Sequence, residues 1–117
     1  VLTHGLGGSP AYWDGLVEPL APADITVEKI AFSGFYMTRL EWVLHQARIK
    51  TLVIAGCSTN GSISSTARDA HLRDFQIIVL DDGCIAFPAE AHRAAINDLM
   101  AIATVRSSKD LPALLKR

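Results

Sequence analysis

The sequence predicts an α/β fold with a mostly parallel sheet, in one domain of 117 residues. Two runs of strand length, at 52–55 and 75–80, consist almost entirely of apolar residues, which is typical of strands covered on both faces in a parallel sheet. Each run is followed by a segment with apolar residues at helical spacing, so strands alternate with helices. No repeat, low-complexity stretch or linker divides the chain, and we expect a single domain over 1–117.

The remaining elements are predicted from periodicity and turn residues. Residues 1–4 form an apolar run closed by a Gly-rich loop, and the apolar–polar alternation at 25–31 predicts a half-buried strand. Thr38 and Glu41 have the spacing of a capping box at the start of an amphipathic helix. The other predicted elements are a helical turn at 13–20, a helix with Ile63, Thr66, Ala67 and Ala70 inward, a helix at 88–101 with Ala95, Ile96, Leu99 and Met100 inward, a strand at 103–106 and a helix from Ser108 onward. Together they predict a Rossmann-like three-layer α/β/α sandwich.

Composition places the chain among soluble globular proteins. Half of its residues are apolar, a fifth are charged and the net charge is −1, so neither nucleic acid nor a membrane is an expected partner. No apolar run approaches the roughly 18 residues of a membrane helix and no secretory signal is visible, so we expect a cytoplasmic protein. Cys57 and Cys84 are expected to be reduced thiols. The four histidines show no metal-ligand spacing, so we expect neither a metal nor a cofactor.

Three segments lie at or beyond the predicted carboxyl ends of strands, where ligands bind in open α/β sheets. They are residues 29–36, 56–62 and 81–87. The middle segment, Gly-Cys-Ser-Thr-Asn-Gly-Ser, joins an apolar strand to a helix. It is not a phosphate-binding loop, because it lacks the required Lys-Ser/Thr pair after its second glycine.

Two serines of the middle segment are candidate nucleophiles. A nucleophile elbow around Ser58 has Asn60 where a second glycine is wanted. Ser62 lies at the start of the helix, where backbone N–H groups and the helix dipole favour developing negative charge. The position of Ser62 therefore suits a reacting group better than that of Ser58.

Three stretches resemble the isochorismatase-like cysteine hydrolases. Residues 56–70, GCSTNGSISSTARDA, are similar to a signature in which a strand-end Gly and Thr-Asn or Thr-Asp precede a nucleophilic cysteine, and the helix continues as Thr-Ala-Arg-Asp-Ala. Lys29, with Phe-Ser-Gly-Phe at 32–35, resembles the segment of the family's catalytic lysine. Residues 77–84, IIVLDDGC, with His92 on the next helix, resemble the strand and turn that follow. The resemblance spans residues 13–110.

The resemblance implies acyl transfer by an Asp–Lys–Cys triad that hydrolyses amide or related C–N bonds. Ser62 occupies the nucleophile position and Lys29 the lysine position. A non-proline cis peptide is implied between Cys57 and Ser58, with the N–H groups of Ser58 and Ser62 as oxyanion-hole donors. The implied substrate is a small carboxamide or an isochorismate-like carboxylate, and the implied assembly is a homo-oligomer. The candidate substrate-binding residues are Trp13, Phe35, Tyr36 and Asn60.

The sequence departs from the family pattern at two points. Ser62 stands where cysteine is usual, and a serine hydroxyl is a far poorer nucleophile unless a base takes its proton. The family's isochorismatases also lack that cysteine and cleave a vinyl ether by protonation, so a serine here is compatible with activity. The family's aspartate lies on an amino-terminal strand that is expected to precede Val1, so the sheet is expected to be missing its first strand.

Two further functions remain open from the sequence. A family member without catalysis would serve as a small-molecule binding or assembly module, with Ser62 as a relic. A serine α/β-hydrolase would use the His-Gly-Leu-Gly run at 4–7 as its oxyanion loop. The catalytic residues of that second alternative would be Ser58 as nucleophile, Asp81 or Asp82 as acid, and His92 as base.

Overall fold

The structure is a computed structural model that describes residues 2–3 and 25–115. The Gly-rich loop, the helical turn expected at 13–20 and Trp13 lie outside the described residues. In chain order the elements are strand β1 (Leu2–Thr3), helix α1 (Leu40–Gln46), strand β2 (Thr51–Cys57), a π-helical turn (Thr59–Ile63), helix α2 (Ser64–Leu72), strand β3 (Gln76–Ile85), helix α3 (Ala89–Leu99), strand β4 (Thr104–Arg106), a 3-10 turn (Ser108–Asp110) and helix α4 (Leu111–Leu115).

The four strands form one parallel sheet in the order β1–β2–β3–β4. β1 pairs with β2 at Leu2–Ala55 and at Thr3–Gly56. Parallel neighbours need crossover connections, and these are right-handed almost without exception, so α2 and α3 lie on the same face of the sheet. The α/β class with a parallel sheet is therefore confirmed, and β2 and β3 are longer than the sequence predicted.

The hydrophobic core lies between the sheet and the first three helices. Alternate residues of β2 are buried, and Ile54 at its centre is fully enclosed. The fully enclosed residues Val79 of β3 and Leu99 of α3 belong to the same cluster. The other helical contributions are Leu40 and Leu44 from α1, Ala67 and Ala70 from α2, and Ile96 from α3. The inward positions that helical spacing predicted for Ala67, Ala70, Ile96 and Leu99 are confirmed.

The strand predicted at 25–31 is wrong. Residues 25–29 have no regular secondary structure, and a bend begins at Ile30. Side chains donate hydrogen bonds to backbone carbonyl groups of this segment. Arg39 donates to the Thr26 oxygen at 3.0 Å, and the Lys29 ammonium donates to the Ala31 oxygen at 2.9 Å. The alternating pattern therefore belongs to a loop whose backbone is held by cationic side chains.

The capping box predicted for Thr38 and Glu41 is also wrong. The Thr38 hydroxyl accepts from the Leu40 N–H at 3.2 Å and donates to the Gly34 carbonyl. The Glu41 carboxylate instead accepts from the Arg73 guanidinium at 2.7 Å. Thr38 therefore ties the start of α1 to the preceding loop, and Glu41 ties α1 to the end of α2.

The helix predicted to run to residue 101 ends earlier. α3 ends at Leu99, and the side chain of Met100 is 56% exposed instead of pointing inward. The Met100 N–H still bonds to the Ile96 carbonyl at 3.2 Å, but the chain then turns toward β4. Met100 therefore has the spacing of an inward-facing residue, but it lies just beyond the end of the helix and outside the core.

Leu99 and Met100 form a matched pair for testing this core. We expect Leu99→Ala to lower the free energy of unfolding by about 2–5 kcal/mol, because it leaves a cavity in a fully enclosed site. Met100→Ala removes a mostly exposed side chain, and we expect a change within about 0.5 kcal/mol. Urea unfolding followed by circular dichroism measures both values. Equal losses for the two variants would contradict the burial described for α3.

Candidate active site

The candidate site lies at the carboxyl end of β2, where the strand turns into α2. Gly56 has a φ of 137°, a conformation that side chains disfavour, and the register of β2 against β3 shifts between Ile54 and Gly56. The peptide bond between Cys57 and Ser58 is cis. The resemblance to the cysteine hydrolases implies this geometry. The strand thus ends in a sharply defined turn.

The π-helical turn folds around the carbonyl group of Ser58. That oxygen accepts from the N–H groups of Gly61 and Ile63, both at 3.1 Å. A Cβ at Gly61 would lie 2.9 Å from the Ser58 hydroxyl oxygen, so a larger residue would displace this side chain. The same turn carries the side chain of Ser62 inward, where it is fully buried. Local backbone bonding therefore fixes where the Ser62 hydroxyl lies.

Lys29 reaches this hydroxyl from a distant part of the chain. Its ammonium nitrogen lies 3.2 Å from Ser62 Oγ, although the two residues are 33 positions apart in sequence. The same nitrogen donates to the carbonyl oxygens of Ala31 at 2.9 Å and Phe32 at 3.3 Å. An ammonium group has three donors, and these three contacts match that number. The structure thus brings together the two side chains that the resemblance assigns to catalysis.

Burial around Lys29 lowers the pKa of its ammonium group below the ordinary value of 10.5. The physical cause is desolvation, which disfavours the charged form. Lys29 therefore loses its proton at a lower pH than a fully solvated lysine.

Two buried threonines attach the site to its surroundings. The Thr59 hydroxyl lies 2.7 Å from Nδ1 of His92 on α3, and the Thr59 carbonyl accepts from the Ser64 hydroxyl at 2.7 Å. The Thr66 hydroxyl accepts from the Gly34 N–H at 2.9 Å. Both threonine side chains are fully buried. The π-helical turn and the loop that carries Lys29 are therefore each held by a buried hydroxyl group.

The predicted substrate-binding residues have different environments. Phe35 is 5% exposed; its ring centroid lies 6.0 Å from that of Phe75, and the Arg73 guanidinium lies over it at 5.1 Å. The ring of Phe35 therefore belongs to the core, and its role in substrate binding stays a prediction. Tyr36 and Asn60 are exposed, and Trp13 lies outside the described residues.

Phe32 is an aromatic residue near the site that the sequence reasoning did not single out. Two carbons of its ring would lie 3.7 Å from a Cβ at Gly61, and about half of its surface is exposed. Its carbonyl oxygen also accepts from Lys29. The Phe-Ser-Gly-Phe run at 32–35 contained this signal, but sequence alone did not show which of its two aromatic rings faces the site.

Two residues of the serine α/β-hydrolase alternative, Asp82 and His92, have other partners in the structure. The Asp82 carboxylate accepts from the backbone N–H and the hydroxyl of Ser108 and from the hydroxyl of Ser107. These bonds, that of the Ser108 hydroxyl foremost, hold the pKa of Asp82 below its ordinary value. His92 is bonded to Thr59. Asp82 therefore binds the start of the 3-10 turn, and His92 is bonded to the π-helical turn.

Cys57 and Cys84 are both free thiols, and burial raises the pKa of Cys84 to about 11. Within residues 2–3 and 25–115, no group of three or more His, Cys, Asp or Glu side chains is arranged to hold a metal ion. Every helix in the same ranges is too short or too polar to cross a bilayer.

Several known proteins are similar to this chain in sequence and in fold. Over 91 residues the chain is 38% identical to ureidoacrylate amidohydrolase RutB of Acinetobacter baylyi. The aligned region covers 74% of this chain and 37% of RutB. An isochorismatase-like hydrolase from Alkaliphilus metalliredigens superposes with a TM-score of 0.80 at 30% identity, over 83% of this chain and 57% of that one. N-carbamoylsarcosine amidase from Thermoplasma acidophilum superposes with a TM-score of 0.68 at 32% identity, over 76% of this chain and 51% of that one.

The chain thus spans well under half of RutB and just over half of the two superposed proteins. Their fold supports the Rossmann-like assignment. The family model described as Isochorismatase domain matches residues 5–110. Since this match covers most of the chain, and since the fold agrees with it, the chain belongs to the isochorismatase family.

Proposed function

We propose that this protein is a hydrolase that cleaves a C–N bond in a small carboxamide, with Ser62 as the nucleophile and Lys29 as its cationic partner. The observation that carries the proposal is the 3.2 Å contact between Lys29 Nζ and Ser62 Oγ. The Ser62 hydroxyl is fully buried at the start of a helical segment, directly after the strand end where such folds bind ligands. The backbone N–H groups of Ser58 and Ser62 are the proposed oxyanion-hole donors.

The names of the related proteins support the substrate class. RutB is named a ureidoacrylate amidohydrolase, and the protein from Thermoplasma acidophilum is named an N-carbamoylsarcosine amidase. Both names describe hydrolysis of an amide-type bond in a small molecule. An isochorismate-like carboxylate is the second substrate class of the proposal, because the matching family model is described as an Isochorismatase domain.

The proposed reaction is acyl transfer in two steps. Ser62 Oγ attacks the carbonyl carbon, an O–C bond forms, the C–N bond breaks, and the amine leaves with the proton that the Ser62 hydroxyl loses. Water then attacks the ester carbon, the Oγ–C bond breaks, the carboxylic acid leaves, and Oγ regains a proton from the water. The Lys29 ammonium stabilises negative charge on Oγ as its proton departs, because a nearby opposite charge favours the ionised form. Each oxyanion-hole donor contributes about 3–4 kcal/mol of transition-state stabilisation.

The proposal also covers the cellular location and the oligomeric state of the protein. Composition and the resemblance favour a cytoplasmic enzyme with a small-molecule substrate. The resemblance also favours a homo-oligomer. Size-exclusion chromatography with light scattering measures the oligomeric state of the purified protein directly.

Removing the Ser62 hydroxyl tests the nucleophile. We expect Ser62→Ala to lower kcat/KM on a responsive carboxamide by about 10³-fold or more, because no acyl-enzyme can form. Ser65→Ala, three residues along on α2, is the matched control and keeps near-normal activity. The measurements are amine release across a panel of small carboxamides and keto-acid release from an isochorismate-type vinyl ether, which contains no C–N bond. Absence of turnover on the whole panel would favour the binding module over the enzyme.

Ser58→Ala separates the two serine mechanisms. This variant keeps its backbone N–H, so on the proposed mechanism it loses less activity than Ser62→Ala. The opposite ranking, in which Ser58→Ala abolishes turnover while Ser62→Ala does not, would support the nucleophile elbow.

The charge of Lys29 gives a pH prediction. If the ammonium is the active form, kcat/KM falls as pH rises through the pKa of Lys29, which burial places below 10.5. Lys29→Met, which removes the charge, is expected to lower kcat/KM by about 10²-fold or more. Lys29→Arg keeps its charge throughout this range, so its residual activity shows no alkaline fall. Lys50→Met at an exposed lysine is the control, and an alkaline limb unchanged in Lys29→Arg would argue against this assignment.

A further inference from the structure

Thr66 is a fully buried polar residue on α2, four positions after Ser62. Residues four apart lie on the same side of a helix, so Thr66 continues the side of the helical segment on which Ser62 lies. Its hydroxyl oxygen accepts from the Gly34 N–H at 2.9 Å, in a contact that is itself buried. No step of the proposed reaction uses this side chain.

Gly34 belongs to the loop that carries Lys29. The ammonium of Lys29 bonds to the carbonyl oxygens of Ala31 and Phe32, so the lysine and the loop around it form one bonded unit. A Cβ at Gly34 would lie 3.6 Å from the Thr66 hydroxyl oxygen and 3.4 Å from a Leu40 methyl carbon, which shows how closely the loop approaches α2. The Gly34–Thr66 hydrogen bond therefore attaches residues 29–34, the lysine loop, directly to the helix that follows Ser62.

We propose that Thr66 is a positioning residue: through the Gly34 N–H it holds residues 29–34 on α2 and thereby sets the distance between Lys29 and Ser62. The catalytic consequence rests on the proposed function, whereas the positioning itself does not. Removal of the hydroxyl leaves a buried N–H without its acceptor, and the loop must shift to hydrate that group. The same shift displaces the carbonyl groups that hold the Lys29 ammonium.

Two substitutions separate the hydroxyl group from the volume of the side chain. Thr66→Val keeps the shape and removes the hydroxyl, whereas Thr66→Ser keeps the hydroxyl and removes a methyl group. Loss of packing alone would affect Thr66→Ser, and loss of the hydrogen bond would affect Thr66→Val. Ser65→Ala, at the adjacent position on α2, is the control for a change elsewhere on the helix.

The readouts are measured on the folded protein and need no substrate. Amide hydrogen exchange at Gly34 is expected to be at least about tenfold faster in Thr66→Val than in the unsubstituted protein, and unchanged in Thr66→Ser and Ser65→Ala. The chain has four lysines, so the Lys29 ¹³Cε resonance can be assigned by its loss in Lys29→Arg. In Thr66→Val the pKa read from that resonance moves up toward 10.5, because the displaced ammonium is hydrated.

Unchanged Gly34 exchange and unchanged Lys29 titration in folded Thr66→Val would overturn the proposal. If Thr66→Val does not fold, Thr66→Ala is compared with Thr66→Ser, with the same expectation. On a responsive substrate, Thr66→Val lowers kcat with little change in KM, and Thr66→Ser restores it. Failure of Ser62→Ala to affect turnover would overturn the proposed function alone, because the Lys29 titration stands independently.

Discussion

The contact between the Lys29 ammonium and the Ser62 hydroxyl depends on two segments, 33 residues apart, meeting beyond the carboxyl end of β2. Strand β2 and the π-helical turn supply the hydroxyl, and an irregular loop supplies the ammonium. The sheet holds the first partner in place through pairing on both sides of β2. The second partner has no such ladder, so its position depends on individual hydrogen bonds to side chains. The geometry of the site is therefore fixed much more firmly on the serine side than on the lysine side.

Burial of polar groups makes these individual bonds matter. The fully buried polar side chains in the described residues are Thr59, Ser62 and Thr66, all on one continuous helical segment. A buried donor or acceptor left without a partner costs about 1–3 kcal/mol, so each of these hydroxyl groups favours the arrangement in which it is bonded. Thr59 binds α3 through His92, and Thr66 binds the lysine loop through Gly34. The helical segment at 59–72 is thus bonded to α3 at one position and to the lysine loop at another.

Regular structure and the serine turn were predictable, whereas the lysine loop was only partly so. The apolar run of β2 and the helical spacing of α2 are local signals, and the run at 56–70 identified the turn between them. The alternation at 25–31 has the period of a strand, but the Thr26 carbonyl bonds to Arg39 and the Ala31 carbonyl bonds to Lys29. Side chains therefore bond this backbone where the pattern predicted a strand partner. For the same reason the sequence did not show that Phe35 packs on Phe75 while Phe32 faces the turn. Side-chain contacts, of which Arg39–Thr26 and Phe35–Phe75 join residues far apart in the sequence, account for these differences.

In the proposed reaction, a serine nucleophile makes the site more dependent on alignment than a cysteine would. A cysteine is a few per cent thiolate at pH 7 and is intrinsically very nucleophilic, whereas a hydroxyl must lose its proton as it attacks. The Lys29 ammonium donates its hydrogen bonds and cannot itself accept that proton, so its contribution in this form is electrostatic. Electrostatic stabilisation depends on groups already aimed at the developing charge. In the proposed reaction, the rate therefore depends more on the hydrogen bonds that keep Lys29 next to Ser62 than it would if the nucleophile were a thiolate.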